Sequence, residues 1–192
     1  MEARTKSGIE PARILKHVKS YMGKGLPPVD QWHPHAVGEV DIFIARNGQW
    51  FYNGSSMERE ALVHLFSTVL RKDEDGCYYL VTPVEKMKVQ VEDVPFVALT
   101  LRVEGQRREQ QLYLMTGVGD EVLLGPEHPL RVQLDPATQE PAPYVLVRGR
   151  LEALVSRSVY YQLAELAEPM EKDGQTLLGV WSAGQFHVLG AA

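Results

Sequence analysis

Residues 55–82, SSMEREALVHLFSTVLRKDEDGCYYLVT, predict a helix, a turn and a strand in that order. Apolar residues recur at helical spacing over residues 57–70, so one face of this helix can pack on a core. Residues 55–58 match a capping box, in which a hydroxyl and a carboxylate satisfy the exposed donors of a helix start. Asp75-Gly76 is a turn signal before the apolar residues 78–82. The stretch therefore predicts an α+β unit.

A similar stretch occurs 98 residues later in the chain. In each copy two predicted strands precede the helix and two follow it. The sequence therefore predicts an α+β fold of duplicated ββαββ units with antiparallel sheets, and a cleft between two copies is a favoured ligand site. The corresponding residues are Arg59 and Arg157, Leu65 and Leu163, Asp75-Gly76 and Asp173-Gly174, and Leu80 and Leu178.

The predicted organisation has three parts. Residues 1–26 form an amphipathic helix over 9–22 and the start of a linker. Residues 27–95 form the first α+β domain, which opens on a hairpin at Asn47-Gly48. Residues 96–192 form the second, in which predicted strands at 96–103, 111–116, 121–124 and 130–134 form a meander. A proline-rich connection over residues 135–143 leads to the second ββαββ unit. Ser158 is the predicted cap of its helix, and Tyr160 and Tyr161 lie beside Arg157.

Composition excludes several classes of protein. The chain has 192 residues, 44% of them hydrophobic and 23% charged, which is typical of a globular protein. A net charge of -5 argues against a nucleic-acid partner, because a protein that binds nucleic acid needs a basic surface. No apolar run has the length of a signal peptide or a membrane span. Cys77 is the only cysteine, so no internal disulfide can form, and we predict a cytoplasmic protein without a membrane partner.

One group of residues resembles a metal site. His33, His35, Glu39 and Asp41 could converge on a divalent ion. However, Pro34 separates the two histidines, and a third well-spaced histidine is missing from the sequence. Solvated or structural roles are therefore favoured, and no metal ligand is assigned.

A denser group of side chains could bind an anion. Arginine presents a planar fork to phosphate or carboxylate, aromatic rings offer a stacking surface, and a helix start adds N–H donors. The alternative is that Trp50 belongs to the core and that Arg59 pairs with Glu58 or Glu85. The candidate ligand-binding residues are Arg46, Trp50, Tyr52, Arg59, Thr82, Glu85, Lys86, Arg148 and Arg157.

The chain also resembles a known bacterial family through a series of motifs between residues 27 and 190. They include QWHP at 31–34, GEVDI at 38–42, ARNGQW at 45–50, YLVTPVEK at 79–86 and GVWS at 179–182. This pattern resembles the family catalogued as domain of unknown function 1285. The resemblance implies a duplicated α+β architecture whose C-terminal half is superficially similar to pleckstrin-homology-like folds. It also implies a site for a nucleotide-like molecule between the halves and a role in signal transduction, and it implies no catalytic residue.

Three functions follow as hypotheses. The first is a non-enzymatic ligand-binding or regulatory protein that takes an anionic, nucleotide-like small molecule at the interface of its domains. The second is a metal-assisted hydrolase that uses the histidine and carboxylate group. The third is a protein-interaction module that uses the C-terminal sheet, near Tyr160. The sequence identifies neither a cofactor nor a protein partner.

Overall fold

The fold is mostly β with few helices. The structure, a computed structural model, describes residues 11–21, 25–136 and 138–191. Within these residues the chain forms three α-helices and fifteen strands. It divides into two compact units, the first of residues Met1–Ala45 and Gln49–Asp93 and the second of residues Arg46–Gly48 and Val94–Ala192. No helix in the described ranges is long and apolar enough to span a bilayer.

The first unit contains one six-stranded sheet, in the order β3-β2-β1-β6-β5-β4. The prediction of antiparallel sheets is wrong here, because β1 and β6 are parallel and the other pairs are antiparallel. The segment containing α2 carries the chain across, so β6 runs beside β1 in the same direction. The elements are α1 Pro11–Val18, β1 Ala36–Ile44, β2 Trp50–Tyr52, β3 Ser55–Ser56, α2 Glu60–Thr68, β4 Leu70–Lys72, β5 Tyr78–Val81 and β6 Glu85–Val91.

The predicted hairpin of the first unit is confirmed. Ile44 pairs with Trp50 across β1 and β2, and Gly48 has a φ of +84° that suits the turn. Along β1 the buried residues Val40 and Ile42 alternate with exposed ones, as a sheet with one packed face requires. The amphipathic N-terminal helix is present as α1, while residues 9, 10 and 22 of that prediction lie outside the described residues.

The second unit contains a six-stranded sheet and a three-stranded sheet. The first has the order β10-β11-β12-β7-β8-β9 with β7 parallel to β12, and the second has the order β13-β14-β15 and is antiparallel. The elements are β7 Phe96–Glu104, β8 Gln111–Thr116, β9 Glu121–Leu123, β10 Leu130–Leu134, β11 Pro141–Arg148, β12 Leu151–Val155, α3 Arg157–Glu165, β13 Glu168–Lys172, β14 Gln175–Ser182 and β15 Gln185–Ala191.

The two six-stranded sheets share one topology. Read from β9, the second sheet has the order β9-β8-β7-β12-β11-β10, which matches β3-β2-β1-β6-β5-β4 strand for strand. In both sheets the first and last strands are the central parallel pair. Their first strands begin at Ala36 and Phe96, so this repeat has a spacing near 60 residues rather than 98.

The predicted ββαββ repeat is therefore wrong as a description of strand pairing. In the first unit the strands before and after α2 join one sheet, but in the second unit the strands after α3 form a separate sheet. The reason lies in β12, which is hydrogen-bonded to β11 on one side and to β7 on the other. It has no free edge that β14 or β15 could join, so these strands pair with each other.

Two predicted helix caps also differ. Ser55 and Ser56 form β3, because Asn53 and Gly54 with positive φ turn the chain back onto β2. Their hydroxyls therefore cap nothing, and α2 begins after Arg59 without a side-chain cap. In the second unit Ser156, rather than Ser158, caps α3 by accepting a hydrogen bond from the Val159 amide.

Candidate functional site

The second unit contains a cleft of 450 Å³, which is within the usual size range of small-molecule sites. Its floor comes from β11 and β12, and one wall comes from the first two turns of α3. Its rim carries two arginines and two carboxylates. The floor and wall residues are Pro141, Ala142, Pro143, Leu154, Val155, Tyr160 and Tyr161, and the polar rim residues are Arg46, Asp135, Thr138, Glu140 and Arg157.

The floor of the cleft is held by a small cluster of packed side chains. Val94, Ala142 and Tyr144 are buried together, and Leu154 packs against them. Tyr144 and Leu154 are direct neighbours across the antiparallel pair β11 and β12. Because cross-strand neighbours restrain each other, the apolar floor is preformed.

Two adjacent tyrosines form the aromatic wall. Val159 and Leu163 of the same helix, α3, are fully buried and anchor it. Tyr160 is half-buried, and its hydroxyl donates a 3.4 Å hydrogen bond to the Leu189 carbonyl. Burial raises the pKa of Tyr160, so its phenol stays neutral near pH 7. Tyr161 is 59% exposed and offers a ring face to solvent.

Each arginine on the rim is matched with a carboxylate. Nη2 of Arg157 lies 2.8 Å from Oε2 of Glu140, and Nη1 of Arg46 lies 3.9 Å from Oδ2 of Asp135. Asp135 and Glu140 stand on either side of the connection between β10 and β11. The rim therefore combines two guanidinium groups with two carboxylates in a formally neutral arrangement.

The candidate residues at the junction of β5 and β6 form a closed local structure. The Thr82 hydroxyl accepts a hydrogen bond from the Glu85 amide and donates one to the Glu85 carbonyl, both at 3.1 Å. The Glu85 side chain is buried and pairs with Arg13 of α1 at 3.2 Å. Thr82 and Glu85 thus shape a turn, and Glu85 fastens α1 to the rest of the first unit.

Lys86 belongs to an ion-pair network in the first unit. Its Nζ lies 2.7 Å from Asp73 and above the ring of Tyr79, and Arg71 holds the same carboxylate at 2.5 Å. Burial opposes ionisation of Asp73, but the hydrogen bonds from Arg71 and Lys86 outweigh it and lower the pKa of Asp73. Tyr79 donates a 2.7 Å hydrogen bond to Asp75, which raises the pKa of the phenol.

The remaining candidates occupy separate positions. Trp50 is fully buried, which agrees with its alternative role in the core, whereas Tyr52 is half-buried in β2. Arg59 is exposed at the start of α2. Arg148 lies 2.5 Å from Asp120 and above the ring of Phe96. Of the nine predicted residues, Arg46 and Arg157 line the cleft.

Sequence reasoning missed the acidic and apolar parts of the cleft. The sequence predicts only a proline-rich connection over residues 135–143, although this segment supplies Asp135, Glu140 and two prolines of the lining. The one available signal was that a polar loop carrying acidic residues is a common place for function. Tyr160 and Tyr161 lie beside Arg157 in the sequence, but no pattern links them to Arg46, which precedes them by more than a hundred residues.

The candidate metal-ligand residues do not form a cluster. His33 and His35 are exposed, and so are Glu39 and Asp41 on β1. Among residues 11–21, 25–136 and 138–191, no three His, Cys, Asp or Glu side chains are grouped so that they could hold a metal ion. The arrangement gives the predicted hydrolase no metal centre in the described part of the chain.

Family models cover nearly all of the chain. Residues 27–94 match the model described as domain of unknown function (DUF1285), N-terminal domain. Residues 95–189 match the model described as protein of unknown function (DUF1285), C-terminal domain. No curated protein matches the sequence.

Two solved structures resemble this protein. One is a DUF1285 family protein from Silicibacter pomeroyi DSS-3, with 45% identity and a TM-score of 0.84 over 93% of this chain and 95% of that chain. The other is a DUF1285 family protein from Shewanella baltica OS155, with 26% identity and a TM-score of 0.52 over 66% of this chain and 91% of that chain. The match of both family models and the similarity over almost the full length lead to one conclusion: the chain belongs to the DUF1285 family.

Proposed function

We propose that the cleft of the second unit binds a small anion carrying a planar ring, such as a nucleotide, and that the protein is a ligand-binding regulator in signal transduction rather than an enzyme. The observation that carries this proposal is that Arg46 and Arg157 line one cleft together with Tyr160 and Tyr161. The pleckstrin-homology-like character of the C-terminal half is part of the same proposal.

The chemistry of the lining supports an anionic ligand. Arginine stays charged at every physiological pH and can donate two parallel hydrogen bonds to a phosphate or carboxylate. Two such side chains on one rim can hold a phosphate from two directions. Their ion pairs are solvent-exposed, with 70% of the Arg157 side chain accessible, so a ligand can reach the guanidinium group.

The apolar lining supports a ligand with a flat ring. Leu154, Pro141 and Pro143 provide a dry surface, and the exposed ring of Tyr161 provides a stacking face. Stacking of a base on an aromatic side chain contributes about 1–3 kcal/mol in nucleic-acid complexes. A ligand with a ring at one end and an anionic group at the other would satisfy both parts of the cleft.

The other two hypotheses have weaker support. The hydrolase hypothesis lacks a grouped set of metal ligands among the described residues. The interaction hypothesis relied on Tyr160, but that side chain links α3 to β15 through Leu189 and is only half-exposed. A Tyr160→Ala variant would therefore change the packing of the unit as well as any surface.

The proposal is tested by calorimetric titration of the full chain with AMP, ADP, ATP and cyclic AMP. We expect at least one of these to bind, and we expect Arg157→Ala and Arg46→Ala each to weaken binding about ten-fold or more, because each removes charged hydrogen bonds. Tyr161→Ala should weaken binding of the nucleotide but not of inorganic phosphate.

Arg59→Ala is the matched control. It removes the same charge from an exposed arginine that does not line the cleft. Binding that is lost in Arg59→Ala and kept in Arg157→Ala would place the ligand elsewhere. Absence of binding by the whole panel and by inorganic phosphate would contradict the proposal.

A further inference from the structure

The two arginines of the cleft already have anionic partners from the same stretch of chain. Glu140 contacts Arg157 at 2.8 Å, and Asp135 lies 3.9 Å from Arg46. Both carboxylates line the cleft themselves. A ligand phosphate and these two carboxylates would therefore compete for the same donors.

These groups are exposed, so a ligand can reach the arginine and replace the carboxylate as its partner. The side chains of Arg157 and Glu140 are 70% and 60% accessible to solvent. Exposed ion pairs of this kind contribute little to stability, because water and salt screen them. The carboxylate can leave the arginine without unfolding any element, since Glu140 lies just before β11.

The charges on the rim predict how strongly each carboxylate opposes a ligand. With two guanidinium and two carboxylate groups, the rim is formally neutral. Removing one carboxylate leaves a formal charge of one positive unit beside the bound ligand. Because Coulomb energy is proportional to the ligand charge, the gain in affinity should grow with the number of negative charges on the ligand.

We propose that Glu140 and Asp135 are built-in competitors that pair with the two arginines of the cleft and limit its affinity for anions. This inference rests on the proposed function, because it concerns the same cleft. The carboxylates set the ligand concentration at which the cleft fills. They also weaken the preference of the cleft for dianions over monoanions.

The test compares three ligands that share one ring and differ in charge: adenosine, cyclic AMP and AMP, which carry no charge, one charge and about two charges near pH 7. For Glu140→Gln we expect the affinity for AMP to rise about two- to five-fold, the range expected for loss of an exposed ion pair. The rise for cyclic AMP should be smaller, and adenosine should show none. Asp135→Asn should act in the same direction.

Glu127→Gln is the matched control. It makes the same change in net charge at an exposed position that does not line the cleft, before β10 and at the opposite end of that strand from Asp135. We expect it to leave all three affinities unchanged within about 1.5-fold at 0.15 M salt, where charges beyond roughly 8 Å are screened.

The outcomes separate the two proposals. Suppose that the wild-type protein binds AMP and that Arg157→Ala weakens this binding. If Glu140→Gln then leaves the affinity for AMP unchanged or lowers it, the competitor role is wrong and the binding function stands. An equal rise for adenosine and AMP would also overturn the competitor role. If neither wild type nor Glu140→Gln binds any anion, both proposals fail.

Discussion

The side-chain hydroxyl of Ser182 donates a 2.6 Å hydrogen bond to the backbone carbonyl of Leu124. The same oxygen accepts a 3.0 Å hydrogen bond from the backbone amide of Leu112. Ser182 ends β14, whereas Leu112 lies in β8 and Leu124 follows β9. One fully buried hydroxyl thus joins the three-stranded sheet to the six-stranded sheet of the second unit.

Replacement of this hydroxyl should destabilise the protein. Ser182→Ala leaves a buried amide and a buried carbonyl without these hydrogen bonds, which costs about 1–3 kcal/mol. The loss should appear as a lower urea midpoint with little change in slope. Ser55→Ala, at an exposed position on β3, should keep the wild-type midpoint. An equal drop in the urea midpoint of both variants would contradict this role of Ser182.

Gly179 is a position where any added side chain would collide with β15. A Cβ added there would lie 2.4 Å from the His187 carbonyl oxygen and 2.7 Å from the Phe186 ring, so the backbone of β15 would have to move. Gly179→Ala should cost about 1–3 kcal/mol, as overpacking usually does. Thermal unfolding measures the effect.

Gly190 provides the matched control on the same sheet. A Cβ added there meets nothing within 4 Å. Gly190→Ala should therefore leave the melting temperature close to that of the wild type. A large drop in melting temperature for Gly190→Ala, or no drop for Gly179→Ala, would contradict the close contact between Gly179 and β15.

His187 should make the second unit sensitive to mild acid. Burial lowers the pKa of His187, although a hydrogen bond with the Ser182 backbone opposes the shift. The unfolded chain takes up a proton near pH 6.5 while the folded chain resists it. The stability due to neutral His187 is therefore present above about pH 6.5 and is lost as the pH falls toward the folded pKa, by at most about 1.4 kcal/mol per pH unit.

This pH dependence can be measured by urea unfolding at pH 7.5 and pH 5.5. His187→Gln cannot be protonated, so its stability should fall less between the two pH values than that of the wild type. His35→Gln, at an exposed position, should behave like the wild type. Equal pH dependence of wild type and His187→Gln would rule out a contribution from His187.

Arg71 connects β4 to the segment before β1. Its guanidinium donates hydrogen bonds of 2.6 and 2.8 Å to the carbonyls of Val29 and Trp32, while it also holds Asp73. Arg71→Ala should cost about 1.5–3 kcal/mol, because these are hydrogen bonds from a charged donor. Lysine keeps the charge but lacks the planar fork, so Arg71→Lys should recover only part of the stability. Full recovery by lysine would show that charge alone matters.

Much of the strand content could be predicted from local sequence. Strands β8 and β10 match their predicted ranges, residues 111–116 and 130–134. These segments are bounded by turns and have the apolar content that a packed sheet requires. The predicted element boundaries are wrong where strand pairing overrides the local preference of the sequence. Ser55 matches a helix cap in sequence, but its backbone pairs with Tyr52 in a strand.

The candidate site could be predicted only in part. The chemistry of the guanidinium group identifies Arg46 and Arg157 as candidates, whereas Tyr160 and Tyr161 are not among the predicted site residues. Their meeting in one cleft depends on a fold that brings together residues more than a hundred positions apart. Glu140 and Asp135 could not be identified as partners, because an ion pair between distant residues leaves no local pattern.

By itself the sequence determined the hairpin at Asn47-Gly48 and a helix within residues 57–70, because periodicity and turn chemistry act over a few residues. It also determined the family, through motifs spread along the chain. Only the tertiary structure decided that the repeat is a six-stranded sheet with a central parallel pair. Only the structure decided that the rim arginines face carboxylates, since strand partners and ion pairs depend on which edges and charges remain available after the chain has folded.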